Sequence, residues 1–252
     1  MDIILGETGL KTSRICLGTV KFGRNTDVKY PSRFQIPDEK QLDRLINSAN
    51  DIGINLIDTA PAYGDSEIKV GKLLSKSRKK WIISTKVGES YENNKSAFNF
   101  SKEAIKESVY KSLKRLRTEA IDILLIHSNG NDLEIIEESD AVETLLRIKN
   151  DGLARYVGMS TKSAEGTEAA SVFSDVIMAP LNLIDRSNLS AIEIASQAGC
   201  GILLKKIFDS GKTSIKESLE FVFNQKGVHS AVVGTINEDH LRENVKLATE
   251  LN

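Results

Sequence analysis

Four side chains of complementary acid–base type follow short apolar runs: Asp58, Tyr63, Lys86 and His127. Asp58 closes Asn55-Leu56-Ile57-Asp58, and Tyr63 follows in the Pro/Gly turn Ala60-Pro61-Ala62-Tyr63-Gly64. Lys86 ends Trp81-Ile-Ile-Ser-Thr-Lys86, and His127 ends Ile121-Asp-Ile-Leu-Leu-Ile-His127. A free phenol has a pKa of about 10 and is a poor acid at neutral pH. An ammonium about 4 Å away interacts with a phenolate by roughly 4 kcal/mol at an effective dielectric near 20. Two pKa units need only about 2.7 kcal/mol, so Lys86 is expected to make Tyr63 a stronger acid. A buried lysine stays charged only with a partner, which gives Asp58 a reason to be there. His127 can hold a carbonyl oxygen toward Tyr63. The set suits proton delivery to an oxygen as negative charge develops on it.

These groups meet only if the strands carrying them lie side by side. Eight short apolar segments bounded by turn residues read as strands buried on both faces: 14–17, 54–57, 81–85, 121–126, 156–159, 176–179, 202–204 and 231–234. Helical spacing fills the intervals at 38–51, 66–74, 101–116, 140–149, 163–173, 190–198, 214–223 and 237–251. Ser, Asp or Asn opens nearly all of these, and Gly follows several, as helix caps require. Strand–helix alternation implies parallel pairing through right-handed crossovers. Eight such units predict an α/β fold, a (β/α)₈ TIM barrel, preceded by a small hairpin within 1–13. No Gly-x-Gly-x-x-Gly follows a strand, which disfavours an open dinucleotide-binding sheet. No linker divides the chain, so 1–252 reads as a single domain. The longest irregular stretches, 21–37, 88–100 and 128–139, follow strands one, three and four. In a barrel they emerge at the strand C-termini, where chemistry sits.

Of 252 residues, 40% are hydrophobic and 27% charged, with a formal net charge of -1. A balance this even argues against a nucleic-acid or acidic-membrane binder. The N-terminus lacks the basic and apolar regions of a signal peptide, and no run approaches the roughly 18 apolar residues of a spanning helix. A cytoplasmic protein is expected, a monomer or small homo-oligomer acting on a small molecule. Cys16 and Cys200 read as buried thiols of a reducing compartment. The basic residues of 102–117 alternate with Glu103, Glu107 and Glu119 and read as a solvated helix face.

The motifs together resemble the aldo-keto reductase superfamily. They run nearly end to end: Gly18-Thr19, Asp58-Thr-Ala-x-x-Tyr63-Gly64, Ser84-Thr85-Lys86, Asp122-x-Leu-Leu-Ile-His127, Val157-Gly158-Met-Ser160, and Val233-Gly234-Thr235 followed by His240-Leu-x-Glu243-Asn244. The resemblance implies NADP(H), with NAD(H) possible, lying across the barrel mouth. Hydride would pass to an aldehyde or ketone carbon, or back from an alcohol or sugar, with Tyr63 serving the oxygen. By the same likeness the cofactor contacts are Gly18, Thr19, Asp58, Ser160, Thr161, Met178, Lys205, Lys206, Phe208, Ser210, Lys212, Gly234, Thr235, Asn237, His240, Glu243 and Asn244. The helix start near Asn237 would favour the adenosine phosphate.

Several positions depart from the common pattern. The usual 2′-phosphate cations fall on Gly234 and His240, and Lys205, Lys206 and Lys212 could compensate. The usual carboxamide-binding Asn and Gln fall on Thr161 and Met178, and the usual nicotinamide-stacking aromatic on Lys205. The sequence ends soon after Leu251, so the substrate-covering tail of many relatives is expected to be absent. Substrate contacts then fall to Lys21, Phe22, Tyr63 and His127. Phe22, Tyr91, Phe98 and Phe100 would form an apolar wall around a comparatively open pocket. Two other functions compete: a cofactor-sensing barrel with little turnover, motivated by Thr161, Met178 and Lys205, and a metal-dependent barrel using Asp58 and His127. No ligand-spaced pair supports the metal.

Overall fold

The run 121–127 is apolar at nearly every position, and in the computed structural model it forms a strand buried along almost its whole length. The structure describes residues 2–28, 33–92 and 95–251. At the N-terminus β1 (Asp2–Ile4) pairs antiparallel with β2 (Lys11–Ser13), which is the expected hairpin. The chain continues through β3 (Ile15–Gly18), the short α1 (Val20–Gly23), α2 (Glu39–Asp51), β4 (Leu56–Asp58), α3 (Ser66–Leu73) and β5 (Ile82–Val87). Then follow β6 (Glu89–Glu92), β7 (Lys95–Phe98), α4 (Lys102–Leu116), β8 (Ile121–His127), α5 (Asp132–Glu138) and α6 (Ala141–Asn150). The remainder comprises β9 (Ala154–Ser160), α7 (Ala164–Ala170), β10 (Val176–Pro180), α8 (Leu189–Gln197), β11 (Gly201–Lys205), α9 (Ile215–Phe223), β12 (Ser230–Val233) and α10 (Glu238–Glu250).

Among the described residues β3, β4, β5, β8, β9, β10, β11 and β12 close into one parallel barrel in that order, with β12 pairing back to β3. The (β/α)₈ expectation is met. Alternate side chains take opposite sides of each strand. Along β8, Ile123 and Leu125 join Cys16, Leu56, Met178 and Leu203 inside the barrel, while Leu124 and Ile126 pack outward under the helices. Leu5, from the end of β1, belongs to the interior cluster. The helix starts carry the expected caps: Asp38 and Gln41 form a reciprocal capping box on α2, and Ser101 caps α4.

Two stretches expected to be irregular are not. Residues following β5 fold into the antiparallel pair β6–β7, and residues following β8 form α5. The alternation Glu89-Ser-Tyr-Glu is too short and polar to stand out as a strand until a partner pairs with it. Both thiols are free and buried, as expected; burial raises Cys16 to about 12 and Cys200 to about 11.

Candidate active site

Asp58 is the last residue of β4, His127 the last of β8, and Lys86 lies one residue short of the end of β5. These strands are neighbours, with Asp58 in register with Ser84 and Lys86 with Leu125. Lys86, 1% exposed, donates through Nζ to both Asp58 carboxylate oxygens at 2.7 Å and to the Thr59 carbonyl at 2.8 Å. Ser84 Oγ donates to Asp58 Oδ1 at 2.9 Å, so the buried carboxylate has two side-chain donors. Thr19 anchors the same corner, its amide and hydroxyl both donating to the Asp58 carbonyl.

Tyr63 closes a single 3₁₀ turn that Pro61 opens. Its ring centroid lies 5.0 Å from Lys86 Nζ and 6.2 Å from the His127 ring, which it meets edge-on. The turn is set by a close backbone crossing. Gly64 holds φ +62°, and a Cβ there would lie 2.2 Å from the Gly23 oxygen; one on Gly23 would lie 2.2 Å from the Tyr63 oxygen. Gly64→Ala is therefore expected to cost about 1–3 kcal/mol through backbone strain, read as a lowered thermal midpoint. Turnover should fall with it, because Tyr63 is the adjoining residue.

The electrostatics correct one expectation. Burial pushes the Tyr63 phenol above its ordinary value, the Lys86 ammonium pulls it down, and Asp58 pushes it up again; the balance is upward. Desolvation of the phenolate outweighs the Lys86 ammonium, so Tyr63 is not the stronger acid expected of it. Burial alone would lower Lys86, but Asp58 and Tyr63 together hold it above its usual value, so it is an ammonium at neutral pH. His127 is lowered by burial; Glu89 opposes this, and Lys86 and Lys205 add to it.

Glu89 escaped the sequence reading. Its Oε2 lies 2.8 Å from His127 Nδ1, an ion pair whenever the imidazole is protonated. Ser96 Oγ donates to the other carboxylate oxygen at 2.6 Å. The residue stands two positions beyond Val87, the last residue of β5, in Lys86-Val-Gly-Glu89, and the β6–β7 pair turns it toward His127.

All four groups open into a cavity of about 800 Å³ at the strand C-termini. Gly18, Thr19, Ser160, Met178 and Lys205 line it from the strand ends and the residue after β3. Lys206, Phe208, Gly234, Thr235, His240 and Asn244 line the side beyond β11 and β12. Asn244 is 2% exposed, and its Oδ1 has no hydrogen-bond partner among the described residues. Lys21 also lines the cavity. A cleft of about 1070 Å³ at the other end of the barrel, around Arg78, Lys80 and Arg155, holds none of the four.

Other expected contacts lie elsewhere. Thr161 is fully buried, its hydroxyl paired with Thr167 at 2.7 Å, behind the wall instead of on it. Glu243 is exposed off the cavity, and exposed Lys212 pairs with Asp209 at 3.4 Å. The side chain of Ser210 lies outside the described residues. Asn237 spends its Oδ1 on the amides of Asp239 and His240, and Glu238 and Asp239 fill the first turn of α10. That helix start is already capped and acidic, so it does not offer the anion site expected of it.

The expected aromatic wall is also overturned. Phe22 is 0% exposed because α1 turns it into the core, so it is not a substrate contact. Tyr91 stacks under the Arg24 guanidinium at 3.6 Å and its hydroxyl meets Thr26 Oγ1 at 2.8 Å, fastening the loop after β3 to the hairpin. Phe98 and Phe100 stack on each other, and Phe100 packs on the core. The apolar lining comes from residues such as Val20, Ile207, Phe208 and Ile215.

The family model described as aldo/keto reductase family matches residues 14–203, most of the chain. The chain belongs to the aldo/keto reductase family. It is 35% identical over 188 residues to the aldo-keto reductase YhdN of Bacillus subtilis, covering 72% of this chain and 54% of that protein. It is 32% identical over 200 residues to an NADH-specific methylglyoxal reductase of Escherichia coli, covering 73% and 60%. The matches thus span little more than half the length of these curated relatives. Among solved structures, the aldo-keto reductase PA4992 of Pseudomonas aeruginosa superposes with a TM-score of 0.92 at 46% identity, covering 100% of this chain and 95% of that one. Within the family framework the tetrad stands at the barrel mouth, and no described helix is long and apolar enough to cross a membrane.

Proposed function

We propose that this aldo/keto reductase reduces an aldehyde or ketone, or oxidises the corresponding alcohol or sugar, with Tyr63 exchanging the proton at the substrate oxygen. The observation that carries the reading is the buried Lys86–Asp58 pair directly beside the Tyr63 ring. A nicotinamide cofactor fits the residues present: the cavity has the volume of a ligand site, and Asn244 offers an unpartnered buried oxygen suited to an amine donor such as that of adenine. When bound, that cofactor supplies or accepts the hydride. Gly18, Thr19, Ser160, Met178, Lys205, Lys206, Phe208, Gly234, Thr235, His240 and Asn244 would hold it. NADP(H) or NAD(H) is the proposed form; Glu238 and Asp239 at the α10 start offer nothing to a 2′-phosphate and argue against a strict preference for NADP(H).

The chain's own groups divide the proton work. The raised Tyr63 value keeps the phenol protonated at neutral pH, the state a donor needs. As the proton leaves, negative charge appears beside the Lys86 ammonium, which Asp58 holds in place; this stabilises the transition state more than the ground state. Glu89 draws Nδ1 of His127, so the other ring nitrogen serves the cavity. Protonated, it donates to a carbonyl oxygen; neutral, it accepts from an alcohol.

The test is loss of reduced-nicotinamide absorbance with NADPH or NADH and a panel of aldehydes, followed across pH. Because His127 is lowered from 6.5, its donor form grows only as pH falls below that value, so reduction should accelerate and alcohol oxidation slow there. Stoichiometric cofactor binding with no turnover across the panel would sink the proposal and favour a sensing role.

A further inference from the structure

The two groups proposed to meet the substrate oxygen depend on separate pieces of chain. Tyr63 stands on the 3₁₀ turn Pro61–Tyr63, and the Glu89 that pairs with His127 stands on β6. One side chain, Arg24, ties both pieces to the segment after α1. Its Nη1 donates at 3.2 Å to the carbonyl of Ala62, the residue before Tyr63. Its guanidinium carbon lies 3.6 Å from the centroid of the Tyr91 ring. Its Nε donates to the Thr26 carbonyl at 3.1 Å, and Nη2 to the Asp27 carbonyl at 3.0 Å and Asp27 Oδ2 at 2.8 Å. Glu89 and Tyr91 stand two residues apart on β6 and therefore share a face. The stack that fixes Tyr91 thus also sets the direction in which Glu89 meets His127.

Ion pairing alone does not account for this placement. The Asp27 side chain is 68% exposed, so the pair could form in water, yet the Arg24 side chain is 8% exposed. Taking a guanidinium out of water costs free energy unless other partners replace the solvent. Here those partners are carbonyls and a ring face drawn from three segments of chain. A guanidinium is a rigid planar fork, so acceptors bound to it are fixed relative to one another. Resting on the carbonyl-reductase reading above, we infer that Arg24 is a positioning residue: it sets the spacing of Tyr63 and His127 at the substrate oxygen. It acts through Ala62 on one side and through Tyr91 and Glu89 on the other, and supplies no proton itself.

The Tyr63 and His127 rings stand 6.2 Å apart, and a misplacement on the order of 1 Å costs on the order of 10²-fold in rate. The charge of Arg24 works in the same direction. Burial raises the Glu89 carboxyl, but His127, then Ser96 and Arg24, outweigh it and hold the group below its ordinary value, as an anion. Thr26, Asp27, Ala62 and Tyr91, which Arg24 touches, are none of the cofactor contacts proposed above. Cofactor affinity is therefore the internal control.

The experiment measures kcat, KM and cofactor affinity for Arg24→Met and Arg24→Lys, each alone and combined with Tyr63→Phe. Arg24→Met is expected to lower kcat about 10–100-fold while cofactor affinity changes less than about threefold. Arg24→Lys keeps the charge but not the fork, and should still lose about tenfold or more. Combined with Tyr63→Phe, either change should lower the residual rate by less than about threefold, because no donor is left to align. A loss as large in that background as in the unaltered protein overturns the inference, since a merely structural role would act equally in both. Unchanged turnover in Arg24→Met, full activity in Arg24→Lys, or a fall in cofactor affinity of about tenfold also overturns it. Should Arg24→Met fail to fold, Tyr91→Leu replaces it: the bonds of Arg24 stay, the tie to β6 goes, and the same dependence on Tyr63 is expected. If the unaltered protein turns over no aldehyde, the carbonyl reading fails, and backbone amide exchange decides the positioning role separately. Arg24→Lys should then speed exchange by about tenfold or more both at Tyr63 and along β6–β7, with the barrel strands unaffected. Unchanged exchange at either place overturns the inference.

Discussion

Tyr63→Phe is expected to lower carbonyl turnover on the order of 10²–10⁴-fold, the range for loss of a positioned acid, while the protein still binds cofactor. The substitution removes one oxygen and keeps the ring, so the edge-on contact with His127 at 6.2 Å and the backbone crossing at Gly64 have no reason to change. What disappears is the proton that Lys86 helps to release. His127 is a poor replacement, because burial and two lysines lower it and leave little imidazolium at neutral pH. The loss should therefore lie in kcat more than in KM, as when an interaction made in the transition state is removed. Steady-state consumption of reduced nicotinamide, with cofactor binding followed through Trp81 fluorescence, separates the two. Full activity in Tyr63→Phe would show that another group delivers the proton.

How much of this could be read from the sequence depended on the range of the interaction. The barrel was legible because each strand is a short apolar run with a turn on either side, and burial on both faces demands that pattern. Asp58, Lys86 and His127 were legible as a set because strand ends share one rim once the barrel closes. Glu89 was not, since its direction depends on pairing with Phe98 across β6–β7 and on the Ser96 hydroxyl that donates to it, and nothing in Glu89-Ser-Tyr-Glu announces that pairing. Phe22 misled for a similar reason: an aromatic in a loop looks available until a four-residue helix rotates it inward. The phenol's upward shift needed a burial that no motif states, and the capped start of α10 needed Asn237 to spend its own oxygen on the helix.

Lys86→Met separates stability from chemistry at the same site. Alone, it leaves the Asp58 carboxylate 3% exposed with Ser84 as its remaining side-chain donor. Removing one partner of a buried pair costs about 3–5 kcal/mol, because the other charge stays in a medium that cannot solvate it. Chemical denaturation should show that loss, and turnover should fall at least as far as in Tyr63→Phe, since the phenolate loses its counter-charge. The pair's contribution also has a pH signature. Lys86 is raised above 10.5, so its stabilisation is complete below that value and is lost only as pH climbs through the higher folded value. Adding Asp58→Asn to Lys86→Met removes the orphaned charge and should recover most of the stability, leaving the Thr59 carbonyl short of one donor. It should recover none of the turnover. A double variant that regained activity along with stability would make the ion pair a scaffold only, and the proton would have to be released by some other means.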